Sequence, residues 1–379
     1  MSASSNLDQF TASLRELFRI SQRGARDVAE TLAGGAQELG ETQFAKLALE
    51  LFSLQFELNQ DYRTLCEAWG APLQTVRHWT QIPAVPTSAF KELDLSCLPV
   101  AGRSVVFHSS GTTAQQHSRH FHNSQSLQLY EASLLPWFKV NVLGPSVGCR
   151  PVVCLTPNAE CAPHSSLVHM FETVVREFGS EGSAFLGKLD EEGGWTVDLN
   201  AACEYLQKLE CSEQPVLVLG TAFSFVHLLD RMAVSRLRFK LPVGSRVMET
   251  GGYKGRSRSM PKPELHRLIS ELFGIPLNSI VCEYGMSELS SQAYDTNSCG
   301  GFLRSFRFPS WARAQIISPE TGREVADGEA GLVRVFDLAN AYSVLAVQTE
   351  DLAIRRGNGF ELLGRAVLAE PRGCSLMSR

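Results

Sequence analysis

Apolar positions in the first eighty residues recur at helical spacing. Phe10, Leu14, Leu17 and Phe18 share one helical face, and Phe44, Leu47, Leu51 and Leu54 share another. Gly34, Gly35 and Gly40 fall between the two stripes, so the pattern predicts two helices with a break between them. The next segment, Gln81-Ile-Pro-Ala-Val-Pro-Thr-Ser-Ala-Phe90, has two prolines three apart and suits an extended connector. An N-terminal helical segment over residues 1–80 is the expected first division.

Beyond it the period changes. Short apolar runs at Ser104–Phe107, Pro151–Leu155, Pro215–Leu219 and Ile280–Cys282 predict strands, with amphipathic helices between them. The clearest helix runs from about Pro263 to Phe273, with Leu265, Leu268, Ile269 and Leu272 at helical spacing. Pro261 and Pro263 suit its first turn, and Gly274 suits the left-handed position after its end. From Trp311 onward the chain turns to short strands such as Gly331–Phe336 and Ala341–Val347. Strands alternating with helices predict an α/β body, here with a β-rich subdomain closing it. The core is expected over residues 81–365, followed by a tail over 366–379.

Composition narrows the class. Of 379 residues, 44% are hydrophobic and 20% charged, which excludes a disordered chain or a coiled coil. Lys plus Arg is 35 against 40 for Asp plus Glu, a net charge of −5 without a basic cluster, so no nucleic-acid partner is expected. The longest apolar stretch, Pro215–Leu229, is interrupted by Gly220, Thr221, Ser224 and His227, so no membrane span is expected. The start, MSASSNLDQF, has neither a basic region nor an apolar stretch, and the ten cysteines form no CxxC pair. These features predict a cytoplasmic enzyme with reduced thiols.

Candidate chemistry begins at Val105-Val-Phe-His-Ser-Ser-Gly-Thr-Thr113, a strand running into a hydroxyl-rich turn. Ser109, Ser110, Thr112 and Thr113 supply hydroxyl donors, and Gly111 lets backbone N–H groups converge on an anion such as a triphosphate. Alone, the segment fits an ordinary Ser/Thr-rich turn equally well. Neither a Walker A loop nor a GxGxxG fingerprint occurs. Downstream follow Thr250-Gly251-Gly252, Tyr284-Gly285-Met286-Ser287-Glu288, Thr349-Glu350-Asp351 and Gly364-Arg365. In that order they resemble the adenylate-forming superfamily of acyl-CoA synthetases, luciferases and peptide-synthetase adenylation domains.

The resemblance implies ATP and Mg²⁺ as cofactors and assigns roles. Glu288 is the hard oxygen ligand for Mg²⁺, Tyr284 a face for adenine, and Ser287 a hydroxyl for the α-phosphate. Gly251, Gly252 and Gly285 belong to the nucleotide turns. Asp351 is to accept from the ribose hydroxyls, and Arg365 to add a fixed positive charge. Without that context, Tyr284 reads as a buried core aromatic, and Asp351 with Arg365 as a surface pair.

A narrower resemblance rests on Ile82-Pro-Ala-Val-Pro-Thr-Ser-Ala-Phe-Lys91, Phe107–Thr113, Glu283–Glu288, Thr349–Asp351, Gly359–Arg365 and the tail Ala369-Glu-Pro-Arg-Gly-Cys-Ser-Leu376. These look like the acyl-protein synthetase (LuxE) family over roughly residues 80–379. The family's cysteine near the C-terminus takes the acyl group from the adenylate and passes it to a reductase; Cys374 occupies the matching position. A thiolate suits that step, Arg372 can lower its pKa, and Gly373 gives the tail freedom.

Three departures accompany the match. The phosphate loop continues as Ala114-Gln115-Gln116-His117, leaving His117 or Arg119 to replace the superfamily's lysine. Only 14 residues follow Arg365, so the full mobile C-terminal lid domain with its catalytic lysine is expected to be missing. The first 80 residues match weakly.

Two lesser candidates lie outside these motifs. His164, in Pro163-His-Ser-Ser-Leu-Val-His169, is a candidate contact for the carboxylate or acyl chain of the substrate, with a purely structural role equally open, while for Ser165 or Ser166 a helix N-cap is the preferred reading. Gly220–His227 reads as a strand entering a helix or as an acyl-tunnel wall, with His227 as a substrate contact. Cys149, Cys154, Cys161 and His164 have no zinc-ribbon or finger spacing, and no GxSxG elbow appears.

The expected function is ATP-dependent activation of a carboxylic acid, by resemblance a long-chain fatty acid, as an acyl-adenylate. Transfer to a thiol follows, preferably Cys374, for delivery to an acyl-CoA or fatty acid reductase partner. One alternative keeps the adenylation site but uses coenzyme A or a carrier protein as acceptor. Another makes the chain a non-catalytic nucleotide-binding subunit.

Overall fold

The computed structural model describes residues 3–23, 39–109, 116–144, 148–189, 194–253, 257–297 and 304–365. Gly34, Gly35, Ser110, Gly111, Thr112, Thr113 and Cys374 lie outside these residues. The two N-terminal stripes form helices α1 (Ala3–Arg23) and α2 (Glu41–Leu58), the latter capped by Gly40, followed by α3 (Gln60–Ala68). The proline connector is extended only around its prolines, where it contributes β1 (Val85–Pro86); Gln81 closes a 3-10 turn before it, and a single turn, α4 (Ala89–Glu92), begins within its last two residues.

The hydroxyl-rich segment leaves a hairpin of β2 (Val105–His108) and β3 (Arg119–His122), and α5 (Ser124–Phe138) follows. Then come β4 (Val152–Cys154), α6 (Ser166–Phe178), β5 (Ala184–Phe185), β6 (Gly187–Leu189) and β7 (Trp195–Val197). Next are α7 (Leu199–Glu210), β8 (Leu217–Thr221), α8 (Ala222–Val234), β9 (Arg246–Thr250), α9 (Lys262–Phe273) and β10 (Ile280–Tyr284). Helix α9 starts after Pro261 and ends at Gly274, whose φ of 65° and ψ of 32° are the left-handed stop expected from sequence. The last stretch is β11 (Ala293–Asn297), β12 (Arg304–Arg307), β13 (Ala312–Ile317), β14 (Ala330–Asp337), β15 (Ala346–Arg356) and β16 (Gly359–Arg365).

Twelve of these strands form one sheet, ordered β13-β14-β15-β16-β12-β11-β10-β9-β8-β4-β5, with β1 parallel to β15. Strands β5, β4, β8, β9 and β10 are parallel. At β10–β11 the pairing turns antiparallel and stays so to β13. The β-rich C-terminal stretch therefore extends the parallel sheet. In the parallel half, Val152, Cys154, Leu217 and Leu219 pack towards α5 and α6, while Val153 and Val218 pack towards α7–α9. Burial on both faces explains the uninterrupted apolar runs in the sequence.

The N-terminal helices cover the antiparallel half. Phe18 stacks on Trp311 with ring centroids 4.5 Å apart, and Phe10, Leu14, Phe44 and Leu51 are buried with Val335, Phe336 and Val347. One strand expectation shifts here: Ala341–Val347 is a strand only from Ala346. The preceding apolar residues form a buried turn, and three of its backbone groups pair with one distant side chain. Gln55 Nε2 donates to the carbonyls of Asn340 and Ala341, both at 3.1 Å, and Gln55 Oε1 accepts from Leu345 N at 2.8 Å. No helix among the described residues is long and apolar enough to cross a membrane.

Candidate functional site

In sheets with a parallel half, ligands are received outside the carboxyl ends of the strands, where backbone groups and loops are free. Here β9 ends at Thr250-Gly251-Gly252, and β10 ends at Tyr284 beside the turn that leads into β11. Thr250 and Glu283 are register partners, and the Thr250 hydroxyl donates to the Glu283 carboxylate. A Cβ on Gly285 would meet the Glu283 carboxylate, so a side chain there would have to displace it from its place beside Thr250.

The following turn is fastened from below. Asn340 Nδ2 donates to the Glu288 carbonyl at 3.0 Å, and the buried Asp337 accepts from the N–H groups of Ser290 and Ser291 at 3.0 and 2.8 Å. From above, His120 Nδ1–H donates to the Ser287 carbonyl at 2.7 Å; burial pushes this imidazole down to about 4, which keeps it neutral. Glu288 is 6% exposed, and one of its oxygens accepts from Ser287 Oγ at 2.9 Å. Among the described residues no cation lies within ion-pair distance of its carboxylate. A buried carboxylate with this remaining acceptor capacity fits a hard divalent ion.

The phosphate-loop segment meets the same turn. Ser109 Oγ accepts from Ser118 N at 3.1 Å, and Ser118 Oγ lies 3.4 Å from Ser287 Oγ. Of the two candidates for the missing loop lysine, Arg119 pairs with Asp94 at 2.9 Å, whereas His117 Nδ1–H donates to the Ser109 carbonyl at 2.7 Å. His117 is thereby anchored directly to the loop's first residue.

Tyr284 and Asp351 meet across the sheet: the tyrosine hydroxyl donates to Asp351 Oδ2 at 2.9 Å. The ring of Tyr284 is 6% exposed and sits among Phe306, Phe308 and Phe360, with centroids 5.3 to 6.2 Å away. Arg365 pairs with Asp351 across β15–β16, its Nε 3.8 Å from Oδ1 and its side chain 83% exposed. Burial raises the Asp351 carboxyl above its ordinary value, while Tyr284 and Arg365 lower it.

His164 stacks on His108 with centroids 4.9 Å apart, and its Nδ1–H donates to the Val106 carbonyl at 3.0 Å. It lines a cleft of about 480 Å³ with Val105, Val106, Phe121 and Arg103. Burial and the neighbouring imidazoles of His164 and His117 lower the pKa of His108. Ser165 is the N-cap of α6, accepting from Val168 N at 3.3 Å. His227 lies on α8 with its ring 6.4 Å from Phe223 of the same helix. The structure thus brings Ser109, Ser287 and Glu288 into one group and Tyr284, Asp351 and Arg365 into another, while His164 belongs to the cleft along β2.

Sequence reasoning passed over Ser118, His120, Glu249, Lys262, His266 and Glu283. Only the His120-Phe121-His122 alternation was a local signal, and it reads equally as a half-buried strand.

The family described as acyl-protein synthetase, LuxE, matches residues 35–379, which extends the similarity upstream of residue 80. Two relatives named long-chain-fatty-acid–luciferin-component ligase come from Aliivibrio fischeri and Vibrio harveyi. Each is 23% identical, over 352 and 346 residues, covering 87% and 88% of this chain and 86% of its own length. Among solved structures, 2-hydroxyisobutyryl-CoA ligase in an open conformation, with 2-HIB-AMP and CoA, matches at a TM-score of 0.62 and 14% identity. That match covers 86% of this chain and 76% of the other. The same enzyme in its postadenylation state matches at 0.63 and 13%, covering 86% and 69%. These likenesses show the adenylate-forming ligase fold.

Proposed function

Given that the chain belongs to the acyl-protein synthetase (LuxE) family, we propose that it activates a long-chain fatty acid with ATP and loads the acyl group onto its own Cys374. Family membership makes it an acid–thiol ligase and not a non-catalytic nucleotide-binding subunit. The fatty-acid assignment follows the names of the two relatives. A reductase that accepts the acyl group from Cys374 completes the proposal.

In the first half-reaction a carboxylate oxygen attacks the α-phosphorus of ATP and pyrophosphate leaves with the bond electrons. In the second, the thiolate of Cys374 attacks the acyl carbon, AMP leaves, and a thioester remains. Both steps are governed by positioning and by neutralising charge on phosphate oxygens. Ser109 is assigned to the phosphates as a hydroxyl donor with His117 beside it, and Ser287 by turning its O–H from Glu288 towards the α-phosphate. Asp351 is assigned to the ribose hydroxyls, with Tyr284 and Arg365 favouring its ionised form against burial. Glu288 would hold Mg²⁺, which when bound supplies neutralising charge to the phosphates.

The observation that carries this reading is the buried Glu288 carboxylate, set beside Ser287 at the carboxyl end of β10 with no cation of its own among the described residues. Exchange of labelled pyrophosphate into ATP tests it. Exchange that requires a long-chain fatty acid supports the proposal; no exchange with any carboxylic acid contradicts it.

A further inference from the structure

Glu249 is fully buried on β9, and two side chains of α9 converge on it. Lys262 Nζ donates to Oε2 at 2.5 Å, and His266 Nε2 lies 3.1 Å from Oε1. Arg304 Nη1 donates to His266 Nδ1 at 3.0 Å, so the ring hydrogen of His266 sits on Nε2 and is donated to Glu249. Arg304 in turn pairs with Asp295 at 2.7 Å. Burial raises the Glu249 carboxyl, but Lys262 and His266 outweigh it and bring it to about 2. A carboxylate so held is a fixed anchor for the lysine.

The lysine has a second partner. Its Nζ donates to the Gly251 carbonyl at 3.0 Å. Gly251 has a φ of 69°, and a Cβ built there would meet nothing within 4 Å, so it is the backbone conformation and not crowding that favours glycine. One ammonium thus joins a buried carboxylate to the first residue of the turn that follows β9.

We propose that Lys262 is the positioning residue of the nucleotide turn: anchored on Glu249, it fixes the Gly251 carbonyl and with it the direction of the Gly251–Gly252 backbone before ATP arrives. The inference rests on the proposed assignment of that turn to the nucleotide. A turn already held in its binding conformation pays less ordering entropy when ATP binds, so the effect belongs in ATP affinity.

The test is ATP binding to the full-length chain by titration calorimetry, with KM for ATP and for the acid and a melting temperature for each variant. Lys262→Met removes the donor but leaves the Glu249 charge buried without its cation, with His266 as its remaining hydrogen-bond partner. A chain carrying both Glu249→Gln and Lys262→Met removes that lone charge as well, and so isolates the contact to Gly251 from the cost of a buried carboxylate. ATP affinity should fall about tenfold in both, the size of one hydrogen bond to a charged group. The KM for the acid should stay at its wild-type value, and Lys262→Arg should recover most of the ATP affinity. Wild-type ATP affinity in a folded double variant would overturn the inference, as would equal rises in both KM values. Absence of ATP binding by the wild-type chain would remove the site assignment itself, and the inference with it.

Discussion

The Tyr284 hydroxyl donates to Asp351 Oδ2 at 2.9 Å and joins two motifs 67 residues apart in sequence. One lies at the end of the last parallel strand and the other in the antiparallel half, so the bond spans the change in strand direction. It also acts on the carboxyl, against the larger effect of burial. Burial favours protonated Asp351, and Tyr284 and Arg365 favour the ionised form that accepts from two hydroxyls.

Tyr284→Phe keeps the ring among Phe306, Phe308 and Phe360 and removes only the donor. The Asp351 carboxyl should then titrate at higher pH, since a group that lowered its pKa is gone. We expect KM for ATP to rise about tenfold, the order of one hydrogen bond to a charged group. The acid limb of kcat/KM for ATP should move to higher pH. A steady-state pH profile checks this, and an unmoved acid limb contradicts it.

Glu288→Gln keeps the shape of the side chain and the contact with Ser287 but removes the charge offered to a divalent ion. Acid-dependent pyrophosphate exchange should fall about a hundredfold or more, the order seen for loss of one electrostatic stabiliser. Raising the Mg²⁺ concentration should restore part of it. Wild-type exchange in this variant would remove Glu288 from the site.

Glu283 gives a stability prediction. Burial pushes its carboxyl up to about 7 from 4.5, against the lowering effect of the Thr250 hydroxyl. A carboxyl whose folded pKa is raised contributes stability that is full below its unfolded pKa and is lost as pH rises through about 7. The amount is about 3 kcal/mol, an order-of-magnitude figure from the size of the shift. Urea unfolding of wild type and Glu283→Gln between about pH 4 and pH 8 isolates it, because Asp295, raised to about 6, titrates in both chains. The wild type should lose stability relative to the variant as pH rises; a constant difference contradicts the account.

Gln55 ties α2 to the buried turn before β15 through three hydrogen bonds with backbone groups. Gln55→Ala leaves two carbonyls and one N–H without that partner and opens a cavity. We expect a loss of about 3 kcal/mol or more in urea unfolding. A loss below about 1 kcal/mol would mean that water replaces the side chain.

The elements most legible in the sequence were those with local chemical reasons. Pro261, Pro263 and Gly274 bracketed α9, and the prolines at 83 and 86 marked the extended connector. The order of short motifs assigned Ser287, Glu288, Tyr284, Asp351 and Arg365 to one nucleotide site, and the fold resolves Tyr284, Asp351 and Arg365 as a group apart from Ser287 and Glu288. Three features were hidden because their causes are distant in sequence. The turn before β15 reads as a strand because its apolar residues are buried, and much of what replaces the ladder comes from far away in sequence, above all Gln55, some 285 residues distant. Glu249, Lys262 and His266 read as scattered charges until α9 packs over β9. The joining of the β-rich stretch to the parallel sheet was hidden too, because strand order is set by non-local pairing.

The central claim is that the chain acylates its own Cys374 at the expense of ATP. Intact-protein mass spectrometry tests it directly, after incubation with ATP, Mg²⁺ and a panel of fatty and aromatic acids, with Cys374→Ala in parallel. The account predicts a hydroxylamine-labile mass increase matching a long-chain acyl group on the wild-type chain and none on the variant. The same adduct on Cys374→Ala would contradict it. So would acid-dependent formation of AMP and an acyl-CoA with the protein mass unchanged.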